Sequence, residues 1–357
     1  MSKKLLCIFI LCTTLAAVIC GCDKYNDSSA CNNTANTSIA SSKSANSEFW
    51  ESSSSEVIEN AGWLKRSYKG KLSDWSSSIS EYGENFIFYV ADGIKRCDIF
   101  SNETVTIVDE SDIISLFIYN DKVYYLKSNL SICSVKIDGD NIQKIWDASF
   151  FKDYNVDFVN KFYIYKDVLY IYDSGTSILY YPLSGGETKL FLDDVSSIAF
   201  SGDSAFFIDH AQKTFSIFEK SLNTGEVKLV RGNGKFDSYN KELFDNVLSV
   251  NGELYYTKRL PSRIYKYNSD GEDSLILNIG TDDLISGLYS YQGKLYYAYS
   301  YGTDAGKLYL YNSDTETSEE IFYNANFKPV YGAKFIHNVF FFKTAINSYF
   351  YRSLPLE

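Results

Sequence analysis

Asn251-Gly252-Glu253-Leu254-Tyr255-Tyr256-Thr257, followed by Arg263-Ile264-Tyr265-Lys266-Tyr267-Asn268-Ser269-Asp270-Gly271, is the stretch that decides the fold. Asn-Gly tolerates the positive φ angles that a two-residue hairpin turn requires. The Tyr-rich runs beside it suit pleated, half-buried strands. The order is therefore turn, aromatic strand, loop, second aromatic strand, Asp-Gly turn. Gln292-Gly293-Lys294-Leu295-Tyr296-Tyr297, followed by Lys307-Leu308-Tyr309-Leu310-Tyr311-Asn312, repeats that order.

Weaker copies fill the chain from Trp63 onward. Turn pairs stand at Glu84-Asn85, Asn120-Asp121, Lys166-Asp167, Gly202-Asp203, Asn251-Gly252, Gln292-Gly293 and His337-Asn338. Each is followed by an apolar pair: Phe88-Tyr89, Tyr124-Tyr125, Tyr170-Ile171, Phe206-Phe207, Tyr255-Tyr256, Tyr296-Tyr297 and Phe341-Phe342. Successive pairs are 36, 46, 36, 49, 41 and 45 residues apart. A mean of about 42 fits a unit of four short strands, the size of a propeller blade. The inner strand precedes each turn, as in Ile114 to Tyr119. A third strand is read at Ile178 to Tyr181, and an outer one at Asn141 to Trp146 after Asp138-Gly139-Asp140. No segment keeps a 3.6-residue apolar period over three turns, so long helices are not expected.

Seven turns predict an all-β fold, a seven-bladed β-propeller of four-stranded antiparallel blades; six or eight blades and a stacked solenoid are the alternatives. The last unit offers only three strands, at 330–336, 339–344 and 348–353, before the final Glu357. Trp63 to Tyr68 can supply the fourth, giving a ring closed by an N-terminal strand. Closure of that kind removes exposed sheet edges.

The amino-terminal sixty residues read differently. Lys3 and Lys4 precede an apolar run from Leu5 to Ile19. At about 15 residues it suits a secretory signal better than a bilayer span, which needs roughly 20. The run ends Ile19-Cys20-Gly21-Cys22, which resembles the lipobox of bacterial lipoproteins, and the resemblance implies lipidation of Cys22. Residues 1–21 are thus read as a lipoprotein signal peptide. Residues 22–62 are read as the lipidated cysteine and a Ser/Asn-rich disordered tether, because their few apolar groups cannot offset chain entropy. Forty flexible residues would reach about 35 Å from a lipid surface. Residues 63–357 form the propeller domain.

Leu254-Tyr255-Tyr256-Thr257, with Ile264 and Asp270-Gly271, resembles the YWTD-type propeller repeat of low-density lipoprotein receptors and of bacterial lipoproteins with receptor-like propellers. The resemblance covers Trp63 to the end and implies a binding scaffold. Two departures limit it. Lys258 stands where the YWTD aspartate would be, so the receptors' inter-blade polar contacts do not carry over. Those receptors also have six blades, against seven units here.

The 357-residue chain carries a formal charge of −11, which repels nucleic acid and anionic polymers at long range. Catalytic groupings are sparse. His210 and His337 are the only histidines, read as solvated loop residues. Cys97 and Cys133 occupy equivalent places in neighbouring units and are read as buried free thiols. No zinc spacing is present, and Asp138-Gly139-Asp140 lacks the remaining ligands of a calcium loop. No cofactor and no metal site are expected, and the protein is read as a non-enzyme. Asp193-Asp194 and Asp282-Asp283 keep open the alternative of a carbohydrate-active enzyme with paired carboxylates near the channel mouth.

In a propeller the first-to-second and third-to-fourth strand turns share one face. The other connections share the opposite, wide face, and here they read as longer. They carry Phe150, Phe151, Tyr154, Phe236, Tyr239, Arg259, Arg263, Tyr301 and Phe327. Aromatic and Arg side chains dominate binding hot spots, and function concentrates on loops held by rigid scaffolds. These nine residues are the expected ligand-binding set. The expected partners are the membrane, through the lipid anchor, and an envelope protein or glycan outside the cytoplasm.

Overall fold

The chain divides into compact units Met1–Glu51 and Ser52–Glu357. The computed structural model describes residues 78–353 of the second, apart from 102, 151–158, 174–176, 210–214, 233–242, 260–261, 271, 281–282, 302–304, 325–333, 338 and 344–348. Cys22, the tether and the strand read at Trp63 to Tyr68 lie outside the described residues.

The described residues form seven antiparallel sheets, each running up and down in chain order. Sheet one holds β1 (Ile79–Tyr82), β2 (Phe86–Val90), β3 (Ile94–Asp98) and β4 (Thr104–Val108). Sheet two holds β5 (Ile113–Tyr119), β6 (Lys122–Lys127), β7 (Ser131–Lys136) and β8 (Gln143–Asp147). Sheet three holds β9 (Val159–Tyr165), β10 (Val168–Asp173), β11 (Ile178–Pro182) and β12 (Lys189–Leu192). Sheet four holds β13 (Val195–Ser201), β14 (Ser204–Asp209), β15 (Ile217–Ser221) and β16 (Val227–Arg231). Sheet five holds β17 (Phe244–Val250), β18 (Glu253–Arg259), β19 (Ser262–Lys266) and β20 (Ser274–Gly280). Sheet six holds β21 (Asp283–Tyr291), β22 (Lys294–Tyr301), β23 (Ala305–Asn312) and β24 (Thr317–Asn324). Sheet seven has three described strands, β25 (Lys334–Ile336), β26 (Val339–Lys343) and β27 (Tyr349–Ser353). A single 3-10 turn at Ala148–Phe150 follows β8.

The recurring apolar pair on each second strand has a simple cause. Successive side chains on a strand point to opposite faces. Tyr124 enters a core shared with sheet three, whereas Tyr125 enters one shared with sheet one. Tyr255 and Tyr256 divide in the same way between sheets six and four, as do Tyr296 and Tyr297 between sheets seven and five. Both faces of these three sheets are covered, so their second strands are apolar at consecutive positions rather than alternating.

The hairpin turns adopt the predicted backbone. Asn120 and Asp121, Lys166 and Asp167, and Asn251 and Gly252 all have positive φ. The first turn differs from its reading at Glu84-Asn85. Gly83, at φ 59°, carries the left-handed step, and the connection runs over three residues.

These turns also bind one another. Tyr82 donates to Asp121 at 2.6 Å, and the Tyr119 hydroxyl accepts from the Asp167 N–H at 3.1 Å. Lys166 pairs with Asp203. Ser201 donates to the Gly252 carbonyl and Asn251 to the Gly293 carbonyl, both at 2.9 Å. Each contact joins one sheet's first turn to that of the next.

Sheet seven meets sheet one through polar groups. Lys334 Nζ donates to the Ile79 carbonyl at 2.6 Å. The His337 N–H donates to Glu81 Oε2 at 2.7 Å, and its ring Nε2 bonds the Phe86 carbonyl at 2.9 Å. His337 is thus part of a junction, which corrects its reading as a solvated loop residue; His210 lies outside the described residues.

Burial pushes the Lys334 ammonium down to about 8. The folded domain therefore releases this proton before the unfolded chain does, so stability should rise with pH above 8. The expected slope between pH 8 and 9.5 is up to about 1.4 kcal/mol per pH unit. Urea unfolding across that range should show it, and Lys334→Met should flatten it. An unchanged slope in the variant would remove Lys334 as its source.

Candidate functional site

The residues expected on the wide face are only partly described. Phe151, Tyr154, Phe236, Tyr239 and Phe327 lie outside the described residues. Phe150 closes the 3-10 turn after β8 and is 46% exposed, its ring 6.2 Å from that of Tyr181 in sheet three. Asp147 fixes the turn by accepting from the Ser149 N–H at 3.0 Å and its hydroxyl at 2.7 Å. These bonds hold the Asp147 carboxyl below the usual carboxylate range.

Two connections read as long loops are largely strand. In sheet five Lys258 pairs with Arg263 and Arg259 with Ser262, so β18 and β19 continue to a tight connection. In sheet six Tyr301 pairs with Ala305. The connections carrying Arg259, Arg263 and Tyr301 read as longer in the sequence, but cross-strand pairing extends to Arg259–Ser262 and Tyr301–Ala305.

The register also separates the sheet-five cations. Arg263 shares a face with Lys258, whereas Arg259 lies on the other face with Ser262. Arg259 Nε binds Asp245 Oδ2 at 2.9 Å. Arg263 contacts Asn278 Oδ1 and the Tyr265 hydroxyl, each at 3.3 Å. Lys258 lies over Phe244 at 5.4 Å and Tyr265 at 5.1 Å, so it caps two rings where an aspartate was absent. Phe150 thus follows the last strand of sheet two, Arg259 and Arg263 lie on sheet five, and Tyr301 ends a strand of sheet six.

The remaining chemical candidates are structurally engaged. Asp193 accepts from Ser177 Oγ at 2.5 Å within the β12 to β13 region; Asp282 lies outside the described residues. Cys97 and Cys133 are buried free thiols, as read from their spacing. Burial pushes the Cys133 thiol up, which disfavours the reactive thiolate. Among the described residues no group of three or more His, Cys, Asp or Glu side chains could hold a metal ion. No helix among them is long and apolar enough to cross a membrane.

The sequence reading missed two kinds of site. The first is a set of polar ties between sheets. Arg231 of sheet four donates through Nε to Asp273 Oδ2 of sheet five at 2.6 Å and through its terminal nitrogen to the Asn268 carbonyl at 2.9 Å. The Tyr256 hydroxyl donates to the same carboxylate, and the Asn268 N–H adds a bond at 2.9 Å. Burial alone would raise the Asp273 carboxyl, but these donors outweigh it and hold it low. Trp146 Nε1 reaches from sheet two to Thr188 Oγ1 of sheet three at 2.9 Å. The second is a cleft of about 350 Å3 on the tight-turn face, between sheets five and six. The Asn312-Ser313-Asp314 turn beside Asn251-Gly252 is its only trace in the sequence.

No protein-family model matches the chain, and no curated protein matches its sequence. Solved structures do resemble it. Virginiamycin B lyase from Staphylococcus aureus matches with a TM-score of 0.52 and 12% identity, over 80% of this chain and 97% of that one. YCF48 bound to D1 peptide matches with a TM-score of 0.54 and 11% identity, over 80% of this chain and 94% of that one. The extracellular domain of the one-component system BT4673 from B. thetaiotaomicron matches with a TM-score of 0.51 and 13% identity, over 78% of this chain and 38% of that one. These likenesses establish an all-β fold of the β-propeller kind. They also correct the reading of the protein as a non-enzyme. A lyase is built on the same fold, so neither architecture nor the absence of a familiar motif excludes catalysis.

Proposed function

We propose that this protein is a lipid-anchored, extracytoplasmic binding scaffold that recognises a protein or glycan through the wide face of its propeller. In this reading Cys22 carries the lipid, residues 23–62 form the tether, and residues 63–357 form a seven-bladed, YWTD-like ring closed by the strand from Trp63 to Tyr68. The observation that carries it is the run of seven sheets, the first six joined in succession by contacts between their turns, in a chain whose leader ends in a lipobox-like Cys22. A frame so cross-tied holds exposed groups such as Phe150 in fixed places, and preorganised surfaces lose less entropy on binding. The peptide-bound YCF48 and the extracellular BT4673 domain support the reading by analogy of fold.

The test is capture. The full chain and a variant with Phe150, Phe151, Tyr239 and Tyr301 changed to Ala would be exposed to solubilised cell envelope. Retention of one defined protein or glycan, lost in a variant with an unchanged melting curve, is the expected result. Equal retention by both forms would overturn the wide-face assignment. Turnover of a retained glycan would show that the scaffold also catalyses. Metabolic labelling with a fatty acid should mark the full chain and not Cys22→Ala.

A further inference from the structure

The cleft between sheets five and six lies on the face opposite the one assigned above. Its walls are the β17–β18 turn at Asn251, the β21–β22 turn at Gly293 and Lys294, and the β23–β24 turn at Asn312 to Asp314. Tyr255 and Tyr311, both nearly buried, form part of its lining.

Three features make this a built cavity rather than a gap between turns. Asn251 Nδ2 donates to the Gly293 carbonyl at 2.9 Å, which ties two walls together. Gly293 permits this approach: a Cβ there would meet that amide nitrogen at 2.6 Å, and its φ of 71° disfavours other residues. Asn312 Oδ1 accepts the N–H groups of Asp314 at 2.9 Å and Thr315 at 3.1 Å, which fixes the third wall. Glu253 is pinned as well, by Lys266 at 2.5 Å and the Tyr255 hydroxyl at 2.9 Å.

The charges at the cleft offset one another. Glu253 is matched by Lys266, and the lining otherwise holds one acid, Asp314, and one base, Lys294, so neither a strong anion nor a strong cation is favoured. The lining is more polar than apolar: carboxylate, amide and hydroxyl groups stand beside tyrosines, with Val250, Leu295 and Leu310 as the apolar part. Apolar small molecules select mainly hydrophobic pockets. An extended peptide selects an unpaired strand edge, whereas the strands here are paired up to their turns. A volume of about 350 Å3 falls within the range of small-ligand sites.

We infer that this cleft is a second binding site, for a neutral saccharide unit whose hydroxyls are held by Asp314, Ser313 and the turn amides. The site does not depend on the wide-face reading, since the two share no residue.

Ligand-observed NMR on the full chain, with methyl glycosides of glucose, galactose, mannose and N-acetylglucosamine as probes, tests the assignment. At least one glycoside should bind with a Kd of about 1 mM or tighter. Asp314→Ala with Ser313→Ala should weaken that binding by about tenfold or more, as loss of a charged hydrogen-bond acceptor implies. Ser313→Trp, which fills the mouth, should abolish it without altering the melting curve. Binding by none of the four probes, or binding indifferent to both cleft variants, would overturn the inference.

Discussion

Trp146→Ala should lower unfolding stability by about 4 kcal/mol, the usual cost of emptying a large aromatic site in a core. Trp146 is fully buried and packs between sheets two and three among Leu126, Phe162 and Leu169. Its indole N–H has a defined partner in Thr188 Oγ1. Two further variants separate packing from hydrogen bonding. Trp146→Phe keeps much of the apolar volume but removes the donor, whereas Thr188→Val strands the buried indole N–H at a cost of about 1–3 kcal/mol. Because the two residues share one bond, the double variant should cost less than the sum of the single ones. The midpoint of urea unfolding reads all four. A loss below about 1 kcal/mol for Trp146→Ala would mean that this residue does not fill the inter-sheet core.

Asp273→Ala should cost about 3–5 kcal/mol, the range for breaking a buried ion pair by removing one partner. The Asp273 side chain is 7% exposed and gathers donors from Arg231, Tyr256 and Asn268. Its removal leaves the guanidinium and the nearly buried Tyr256 hydroxyl without their acceptor. Replacing both ends together, as Arg231→Met with Asp273→Leu, should restore much of the loss, because no unpaired charge then remains. The carboxyl is held low in the folded state. Its contribution is therefore complete above the unfolded value of about 3.9 and disappears as pH falls through the lower folded one. Acid unfolding should be shallower in Asp273→Asn than in the parent. Identical acid profiles would show that the carboxylate is not what joins sheets four and five.

Most of the fold was legible because its signals are local. A tight turn needs specific residues at adjacent positions, and a strand covered on both faces needs consecutive apolar ones, so Asn251-Gly252 and Tyr255-Tyr256 declare themselves. Gly83 was missed because Asn85, two places later, has the same tolerance for positive φ. The extension of β22 to Tyr301 was missed because pairing across a hairpin overrides a polar, Gly-containing border. The ties between sheets were illegible for a different reason. Arg231 and Asp273 stand 42 residues apart, as do Trp146 and Thr188, and nothing local marks either as a partner. The candidate sites share this difficulty. A cleft between Asn251 and Asp314 exists only after two sheets have been placed side by side.

The bonds between first turns have one more consequence. Each tells a sheet which neighbour to stand beside, and it does so with side chains rather than with the covalent thread. Order around the domain is thus recorded twice, once in the chain and once in the turns. The thread could be cut between two of the sheets so joined, and the turns would still assign each of them its place. The same rule counts neighbours and not members, so a unit copied with its turn would carry its own instructions for joining the row. Architecture of this kind grows by repetition, because each new piece has to satisfy only the pieces on either side of it.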